Sequence, residues 1–311
     1  MPPLHLSLFR FALLLALAAG PATAPPAAAW VVEAPAPTWA PEDDPPLWIV
    51  THEGTTVYLM GSVHMLRPEA YPLDEALTRA FEASRTVAFE LDLAEMQAGA
   101  AAMMQRGSFQ GAESLRDHVS GETFEELEAR MGPLGIPPPL LEGMKPWMAA
   151  LLLSALIVQE AGFEAESGID LHFYELAREG GKEIVALETL EDQIDVFDGL
   201  PLEAQVAYLE TTLDELDDAV DRLEEMTALW ETGRAEELAH VLNESLEGHP
   251  ELEERILHQR NRNWIPHIEE LLAGPDTAIV IVGMGHLVGE GSVIHLLRER
   301  GYQVERGGGG G

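Results

Sequence analysis

Two short stretches with the same pattern decide the fold of this chain. Residues 57–66 have the sequence VYLMGSVHML, and residues 278–288 have the sequence AIVIVGMGHLV. Each is an apolar run that leads into Gly-x-x-His (GxxH), with His64 and His286 as the histidines. An apolar run bounded by glycine is typical of a strand buried on both faces of a sheet. Ligands bind at the carboxyl ends of strands in open α/β sheets, so both histidines are candidate site residues.

The sequence predicts a helix and a further strand after each GxxH motif. Helical patterns occupy residues 73–84 and 292–300, and strand patterns follow at residues 86–91 and 302–305. We therefore predict an α/β protein whose central sheet is built from two strand–GxxH–helix–strand units. A large helical insertion, at about residues 93–265, separates the two units. We expect the sheet to bring the two histidines together.

Two of the predicted strands end in a carboxylate. Residues 87–90 have the sequence VAFE, and residues 185–188 have the sequence VALE. Glu90 and Glu188 therefore follow buried strands at their carboxyl ends, where the histidines are also expected. A β-hairpin is predicted at residues 47–60, where two apolar runs flank His-Glu-Gly.

The composition excludes several partners and kinds of site. The chain of 311 residues has 18 basic and 54 acidic residues, which gives a formal net charge of -36. A surface this acidic repels nucleic acid and anionic lipid, so we exclude nucleic acid as a partner. The absence of cysteine excludes thiol nucleophiles, disulfides and cysteine-ligated zinc. Any metal site must therefore use histidine and carboxylate ligands.

The first residues have the pattern of an export signal. Arg10 precedes an apolar core at residues 11–19, and small residues follow that core. We predict a signal peptide at residues 1–29, cleaved before Trp30, because Pro25 disfavours cleavage after the earlier Ala-Thr-Ala. The alternative is a retained membrane anchor, for which the apolar core is short. The mature chain is therefore predicted to be periplasmic or secreted, with no integral membrane span.

The mature chain is predicted to be one domain with short flanking segments. Residues 30–46 are a flexible lead-in rich in proline and alanine, residues 47–306 form the domain, and residues 307–311 are a glycine tail. An apolar stripe with spacings of three and four predicts one long amphipathic helix at residues 201–230. Packing within the chain is the usual fate of such a stripe, and a homo-oligomer through this helix is the alternative.

His64, His286 and Glu90 form the candidate site. Two imidazoles and a carboxylate suit a divalent transition metal, and three protein ligands leave one position open for water. A bound metal lowers the pKa of that water, and Glu90 is either a ligand or the general base. The competing interpretation is that each histidine is structural, and spacing alone leaves the two interpretations about even.

Several blocks of sequence, in order, resemble one protein family. The blocks at residues 58–64, 89–92, 168–170 and 282–289 are similar to those of the TraB/PrgY/GumN family. The resemblance extends over about residues 47–306. It implies an α/β core like that of erythromycin esterases, of the haem-binding ChaN proteins and of the Tiki proteins.

The Tiki proteins are membrane-tethered metalloproteases of this family, and they clip the amino-terminal region of Wnt proteins. Their activity is attributed to two GxxH motifs and a glutamate. Carried over to this chain, the resemblance implies that His64, His286 and Glu90 hold the metal and carry the catalysis. This sequence departs from the Tiki pattern because it shows no transmembrane anchor.

These patterns support three hypotheses of function. The first is an exported metal-dependent hydrolase, a peptidase that acts on a peptide or protein with manganese, cobalt or zinc. The second is a non-enzymatic periplasmic binding or regulatory protein that captures a peptide, haem or metal in the same cleft. The third is an esterase of the erythromycin-esterase kind.

Four further residues have predicted roles around the candidate site. Arg260, Asn261 and Glu188 are candidates for binding the substrate, and the first two could also hold an oxyanion. Alternatively, Arg260 and Asn261 form an ion pair or cap a helix. Glu188 could instead hydrogen-bond to the metal ligands from behind, or it could simply end a strand. Asp170 is interpreted as the N-cap of the helix that follows it.

Overall fold

The computed structural model describes residues 45–246 and 250–307. The predicted signal peptide, almost all of the predicted lead-in and the last four glycines lie outside these residues. Six strands form one sheet in a mixed α/β fold that is mostly helical. The strands are β1 (Leu47–His52), β2 (Thr55–Ser62), β3 (Thr86–Phe89), β4 (Glu183–Ala186), β5 (Ala278–Gly283) and β6 (Gln303–Arg306).

The sheet has the strand order β4-β3-β5-β2-β1-β6. The pairs β4–β3, β3–β5 and β5–β2 are parallel, whereas β1 runs antiparallel to both β2 and β6. β5 is buried along its whole length, as its unbroken apolar sequence predicts. Because β3, β5 and β2 are parallel neighbours, their carboxyl ends meet at one edge of the sheet. Ser62 lies opposite Gly283 at that edge.

The predicted hairpin is confirmed by the pairing of β1 with β2. Its turn consists of Glu53 and Gly54, whose φ angles are 48° and 94°. Two positive φ angles are the geometry of the tight hairpin turns that match the twist of antiparallel strands. This hairpin fixes β2 in the sheet and so fixes the start of the loop that carries the first GxxH histidine.

Helices surround the sheet. They are α1 (Glu75–Ala83), α2 (Leu93–Arg106), α3 (Gly121–Met131), α4 (Pro138–Glu142), α5 (Pro146–Glu160), α6 (Ile169–Glu179), α7 (Leu190–Asp198), α8 (Leu202–Asp214), α9 (Ala219–Glu231), α10 (Ala235–Leu246), α11 (Pro250–Glu253), α12 (Gln259–Ala273) and α13 (Val293–Glu299). A π-helical segment, Glu254–His258, joins α11 to α12. In the part of the chain that the structure describes, no helix is long and apolar enough to cross a membrane.

The chain crosses the sheet differently after the two GxxH motifs. After His64, α1 leads to β3, and β5 lies between β2 and β3. After His286, α13 leads to β6, so this connection passes both β2 and β1. The segment predicted as a helical insertion contains helices and also β4. The origin of the sheet in two copies of one unit stays a prediction.

The prediction of one continuous helix at residues 201–230 is wrong. α8 ends at Asp214, α9 begins at Ala219, and a 3-10 turn lies between them. Four of the five residues at 214–218 are acidic, and the aspartates among them are poor helix formers, which explains the break. α8 packs against α5, with Leu209 and Leu213 buried, so this part of the stripe is used within the chain. A homo-oligomer through this segment stays a prediction.

Candidate active site

The three predicted site residues converge beside Gly283. A β-carbon built on Gly283 would lie 3.2 Å from Nε2 of His64, 3.3 Å from Oε1 of Glu90 and 3.7 Å from Cδ2 of His286. The three side chains follow β2, β3 and β5, whose carboxyl ends meet at this edge of the sheet. The missing side chain of Gly283 therefore leaves the space in which they meet.

Most of this cluster is buried. The side chain of His64 is 15% exposed, that of Glu90 is 5% exposed and that of His286 is 1% exposed. Solvent therefore reaches the cluster on the His64 side. Of the three side chains, that of His64 is the most exposed to solvent.

His64 is held by a carboxylate that the sequence analysis assigned to another role. Its Nδ1 lies 2.7 Å from Oδ2 of Asp170, and the hydroxyl of Ser62 donates to Oδ1 of the same carboxylate at 2.7 Å. Burial lowers the pKa of His64, but the charge of Asp170, its hydrogen bond and the charge of Glu90 outweigh burial and raise the pKa to about 9. Nδ1 of His64 donates to this carboxylate, and Nε2 is the atom that faces the cluster.

The interpretation of Asp170 as a helix N-cap is wrong. The N-cap of α6 is Gly168, and Asp170 lies in the first helical turn with its carboxylate directed at Ser62 and His64. A β-carbon on Gly168 would lie 2.1 Å from the backbone oxygen of His64, so only glycine allows α6 to approach this loop so closely. The sequence signal at Asp170 was its position two residues after Gly168, but the sequence alone does not reveal what that glycine packs against.

His286 is held in a defined tautomer. Its Nδ1 lies 2.7 Å from Oδ1 of Asn261, and the amide nitrogen of Asn261 donates to the carbonyl of Gly291 at 2.9 Å. The second bond fixes the orientation of the amide, so Nδ1 of His286 is the donor and Nε2 carries a lone pair. Burial, together with the charges of Arg260 and His64, lowers the pKa of His286 well below its usual value. His286 is therefore neutral, and its 3.9 Å distance to Glu90 is not an ion pair.

Glu90 is oriented by a short hydrogen bond on each of its oxygens, and the amide of Gln193 makes a longer one of 3.4 Å to Oε2. The backbone N–H of Gly283 donates to Oε1 at 2.7 Å, and Nη2 of Arg260 donates to Oε2 at 2.6 Å. Arg260 also donates from Nη1 to Nε2 of His286 at 3.1 Å. The guanidinium therefore links the glutamate to the second histidine. Its side chain is only 7% exposed.

A second carboxylate, Glu188, holds the other side of Arg260. It accepts from Nε of Arg260 at 3.0 Å and from Nη2 at 2.5 Å. Trp264 donates its indole N–H to Glu188 at 3.1 Å, and Gln193 donates its amide to Glu188 at 2.7 Å. Glu188 is thus a fixed anion behind the cluster, which suits the predicted position behind the candidate ligands.

The predicted substrate-binding roles of Arg260, Asn261 and Glu188 stay predictions. In the structure the side chains of all three are largely buried and hydrogen-bonded to other members of the cluster. The ion-pair alternative describes the contacts of Arg260 directly. Gln193 was not predicted as a site residue, but its amide donates both to Glu188 and to Glu90 and so belongs to the cluster.

The cluster contains the types of side chain that bind divalent metals in proteins, two imidazoles and a carboxylate. Each histidine has an oxygen acceptor on Nδ1, which is how metal-binding histidines are held in proteins. Nε2 of His286, however, accepts from Arg260, and the raised pKa of His64 keeps its Nε2 protonated at neutral pH. Among residues 45–246 and 250–307, no group of three or more His, Cys, Asp or Glu side chains is arranged to hold a metal ion. In this arrangement Arg260 hydrogen-bonds to two of the three candidate ligands, Glu90 and His286.

Comparison with known proteins places the chain among bacterial and animal relatives. The Escherichia coli (strain K12) protein "Uncharacterized protein YbaP" is 27% identical over 245 residues, which are 78% of this chain and 87% of YbaP. "Metalloprotease TIKI2" of Danio rerio is 22% identical over 298 residues, 80% of this chain and 58% of that protein. "Metalloprotease TIKI homolog" of Amphimedon queenslandica is 39% identical over 54 residues, 17% of this chain and 11% of that protein.

No solved structure matches the chain significantly. The family model described as "TraB/PrgY/gumN family" matches residues 46–306. That range includes both GxxH motifs, Glu90, Asp170 and Arg260. The protein therefore belongs to the TraB/PrgY/gumN family.

Proposed function

We propose that this protein is an exported metal-dependent hydrolase that cleaves peptide bonds. The observation that carries the proposal is the meeting of His64, Glu90 and His286 around the space beside Gly283. The relatives named as TIKI metalloproteases support a peptidase rather than another hydrolase. The export part of the proposal depends on the signal pattern of the first 29 residues.

His64 and His286 would hold the ion through Nε2, with Glu90 as the third ligand or as the base beside it. A divalent metal bound there supplies a Lewis acid for the substrate carbonyl and a more acidic water. Asp170 and Asn261 accept from Nδ1 of each histidine, so Nε2 is the nitrogen that would face the ion. To bind it, His64 would have to lose its Nε2 proton and His286 would have to lose its hydrogen bond from Arg260.

Glu90 is the candidate proton acceptor. In peptide hydrolysis, water adds to the carbonyl carbon, the C–N bond breaks, and one proton of the water passes to the leaving amine. A carboxylate that takes this proton and returns it must be held in a fixed orientation. The Gly283 N–H and Arg260 provide that orientation, one on each oxygen. His64 borders the side from which a peptide would enter.

The degree of burial favours a second candidate function, the capture of a ligand without turnover. His286 and Glu90 are almost closed to solvent, and a site of this kind suits a small ligand or an ion better than a long peptide. Both functions use the same cluster. They differ in whether Glu90 is needed for turnover or only for binding.

Metal content and peptide cleavage together test the proposal. The mature chain, residues 30–311, is purified without chelator and compared with His64→Ala and His286→Ala. His267→Ala is the matched control, because His267 is an exposed histidine on α12. We expect about one transition-metal ion per chain in the parent and in the control, and loss of the ion in both GxxH variants.

Turnover is measured with a peptide library by mass spectrometry. Glu90→Gln keeps the shape of the side chain and should abolish cleavage while the fold persists. Metal binding without any cleavage would favour the capture function. If the parent binds no metal after incubation with manganese, cobalt or zinc, the metal-dependent hydrolase is refuted.

A further inference from the structure

Arg260 holds two of the three groups that would bind the ion. We propose that Arg260 is an internal competitor of the metal, which holds Glu90 and His286 when no ion is bound and withdraws onto Glu188 when an ion binds. This inference rests on the proposed function, because it concerns the same metal site. It assigns to Arg260 control of metal affinity rather than contact with the substrate.

The contacts of Arg260 coincide with those that an ion would make. Nη1 donates to the lone pair of Nε2 on His286 at 3.1 Å, and Nη2 donates to Oε2 of Glu90 at 2.6 Å. A histidine nitrogen whose lone pair accepts a hydrogen bond cannot coordinate a metal at the same time. Metal binding through His286 therefore requires Nη1 to leave this nitrogen.

Glu188 is a second anionic partner for the guanidinium of Arg260. It already accepts from Nε and Nη2, and it is itself fixed by Trp264 and Gln193. The Arg260 guanidinium carbon also lies 4.9 Å from the centre of the Trp264 ring, a cation–π contact that does not involve the candidate ligands. Arg260 can therefore release Glu90 and His286 and still keep a charged partner.

The charges are paired in both states. Glu90 and Glu188 are 5% and 7% exposed, and two buried carboxylates without a cation would be strongly unfavourable. Arg260 supplies that cation in the metal-free protein. A divalent ion would take over the pairing of Glu90, while Arg260 remains with Glu188. The site is therefore built to stay folded without metal, at the expense of metal affinity.

Cobalt binding, followed by visible absorption and by competition with a chelating dye, tests this inference without an activity assay. Arg260→Gln removes the competing cation and should bind Co²⁺ at least about tenfold more tightly than the parent. The matched control is Arg262→Gln, which removes an exposed arginine of the same helix that pairs with Glu254. Its affinity should stay within about twofold of the parent value.

Arg260→Lys distinguishes two effects of Arg260 on metal binding: its hydrogen bonds to the candidate ligands, and the repulsion between its charge and the ion. Lysine keeps the charge but carries its donors on one nitrogen instead of three, so it cannot reproduce the contacts that Arg260 makes with Glu90, Glu188 and His286. We expect this variant to bind Co²⁺ more tightly than the parent but less tightly than Arg260→Gln. It also serves as the test variant if Arg260→Gln does not fold.

The possible failures are distinguishable. If the parent binds Co²⁺ through both GxxH histidines and neither Arg260 variant binds more tightly, the competition is overturned and the metal site stands. If neither the parent nor any Arg260 variant binds Co²⁺, the metal site fails and the competition fails with it. If Arg262→Gln gains as much affinity as Arg260→Gln, general electrostatics explains the effect and the competition is overturned.

Discussion

Replacing Asp170 by Asn tests whether this carboxylate sets the charge of His64. In the parent the pKa of His64 is raised from 6.5 to about 9, because Asp170 and Glu90 outweigh burial. Asparagine keeps the shape of the side chain but removes the largest favourable contribution. Burial then dominates, and we expect the pKa of His64 to fall below 6.5. A histidine titration by NMR in the presence of chelator measures both values.

The same substitution predicts a change in the pH dependence of stability. The pKa of His64 is higher in the folded protein than in the unfolded chain, so the stabilisation is fully present below pH 6.5 and is lost as the pH rises through about 9. A shift of this size, at about 1.4 kcal/mol per pKa unit, corresponds to about 3 kcal/mol. The parent should therefore lose about 3 kcal/mol of unfolding free energy over this pH range from His64 alone.

Urea unfolding at several pH values between 6 and 10 measures this loss, with chelator present throughout. Asp170→Asn should not show this loss. The difference in unfolding free energy between the parent and Asp170→Asn should therefore be largest near pH 6 and should shrink towards pH 10. Ser62→Ala is the control, because it removes the other partner of Asp170 without changing the charge. Parallel stability curves for the parent and Asp170→Asn would refute the assigned role of Asp170.

Three further substitutions test other parts of the structure. Gly283→Ala places a methyl group against the three site side chains and should lower Co²⁺ affinity about tenfold or more with the fold retained, whereas Gly121→Ala, where a β-carbon meets nothing within 4 Å, should change nothing. Trp230→Phe removes the buried hydrogen bond to the Gly61 carbonyl and should lower the unfolding free energy by about 2 kcal/mol in urea titrations. Burial raises the pKa of Asp198, but hydrogen bonds from a lysine and an arginine outweigh it and hold the pKa below its usual value. Asp198→Asn should therefore be less stable than the parent at pH 7, and thermal unfolding should show this difference closing as the pH falls through the lowered pKa.

The edge of the sheet that carries the candidate site could be predicted from the sequence. The GxxH motifs and Glu90 each follow a buried strand, and the carboxyl ends of parallel strands meet at one edge. The placement of His64, His286 and Glu90 around Gly283 agrees with that expectation. Their roles as metal ligands and catalytic groups stay predictions.

The partners of these residues could not be predicted in the same way. Asp170 reaches His64 because α6 packs against the loop through Gly168, a contact between residues more than a hundred positions apart in the sequence. The sequence singled out Arg260, but its position between two glutamates and a histidine depends on how α12 packs on the sheet. Periodicity predicts which face of a helix is buried, but it does not identify the polar partner that the face will meet.

The break between α8 and α9 shows another limit of periodicity. The apolar spacing of residues 201–230 continues through the acidic run at 214–218, so the pattern alone predicts one helix. The backbone turns there because local propensity and the repulsion of like charges outweigh the pattern. Leu209, Leu213 and Leu216 of the stripe are buried within the chain, whereas Leu202 at its start is 37% exposed.

The central position of β5 has a consequence for synthesis of the chain. β5 separates β2 from β3, yet it is encoded about 190 residues after β3. Until residue 283 has left the ribosome, β2 and β3 each present an unpaired apolar edge, and the two parts of the sheet have no common neighbour. A nascent chain that stops before residue 278 would therefore be prone to aggregation, and late arrival of β5 makes completion of the sheet and assembly of the site a single event.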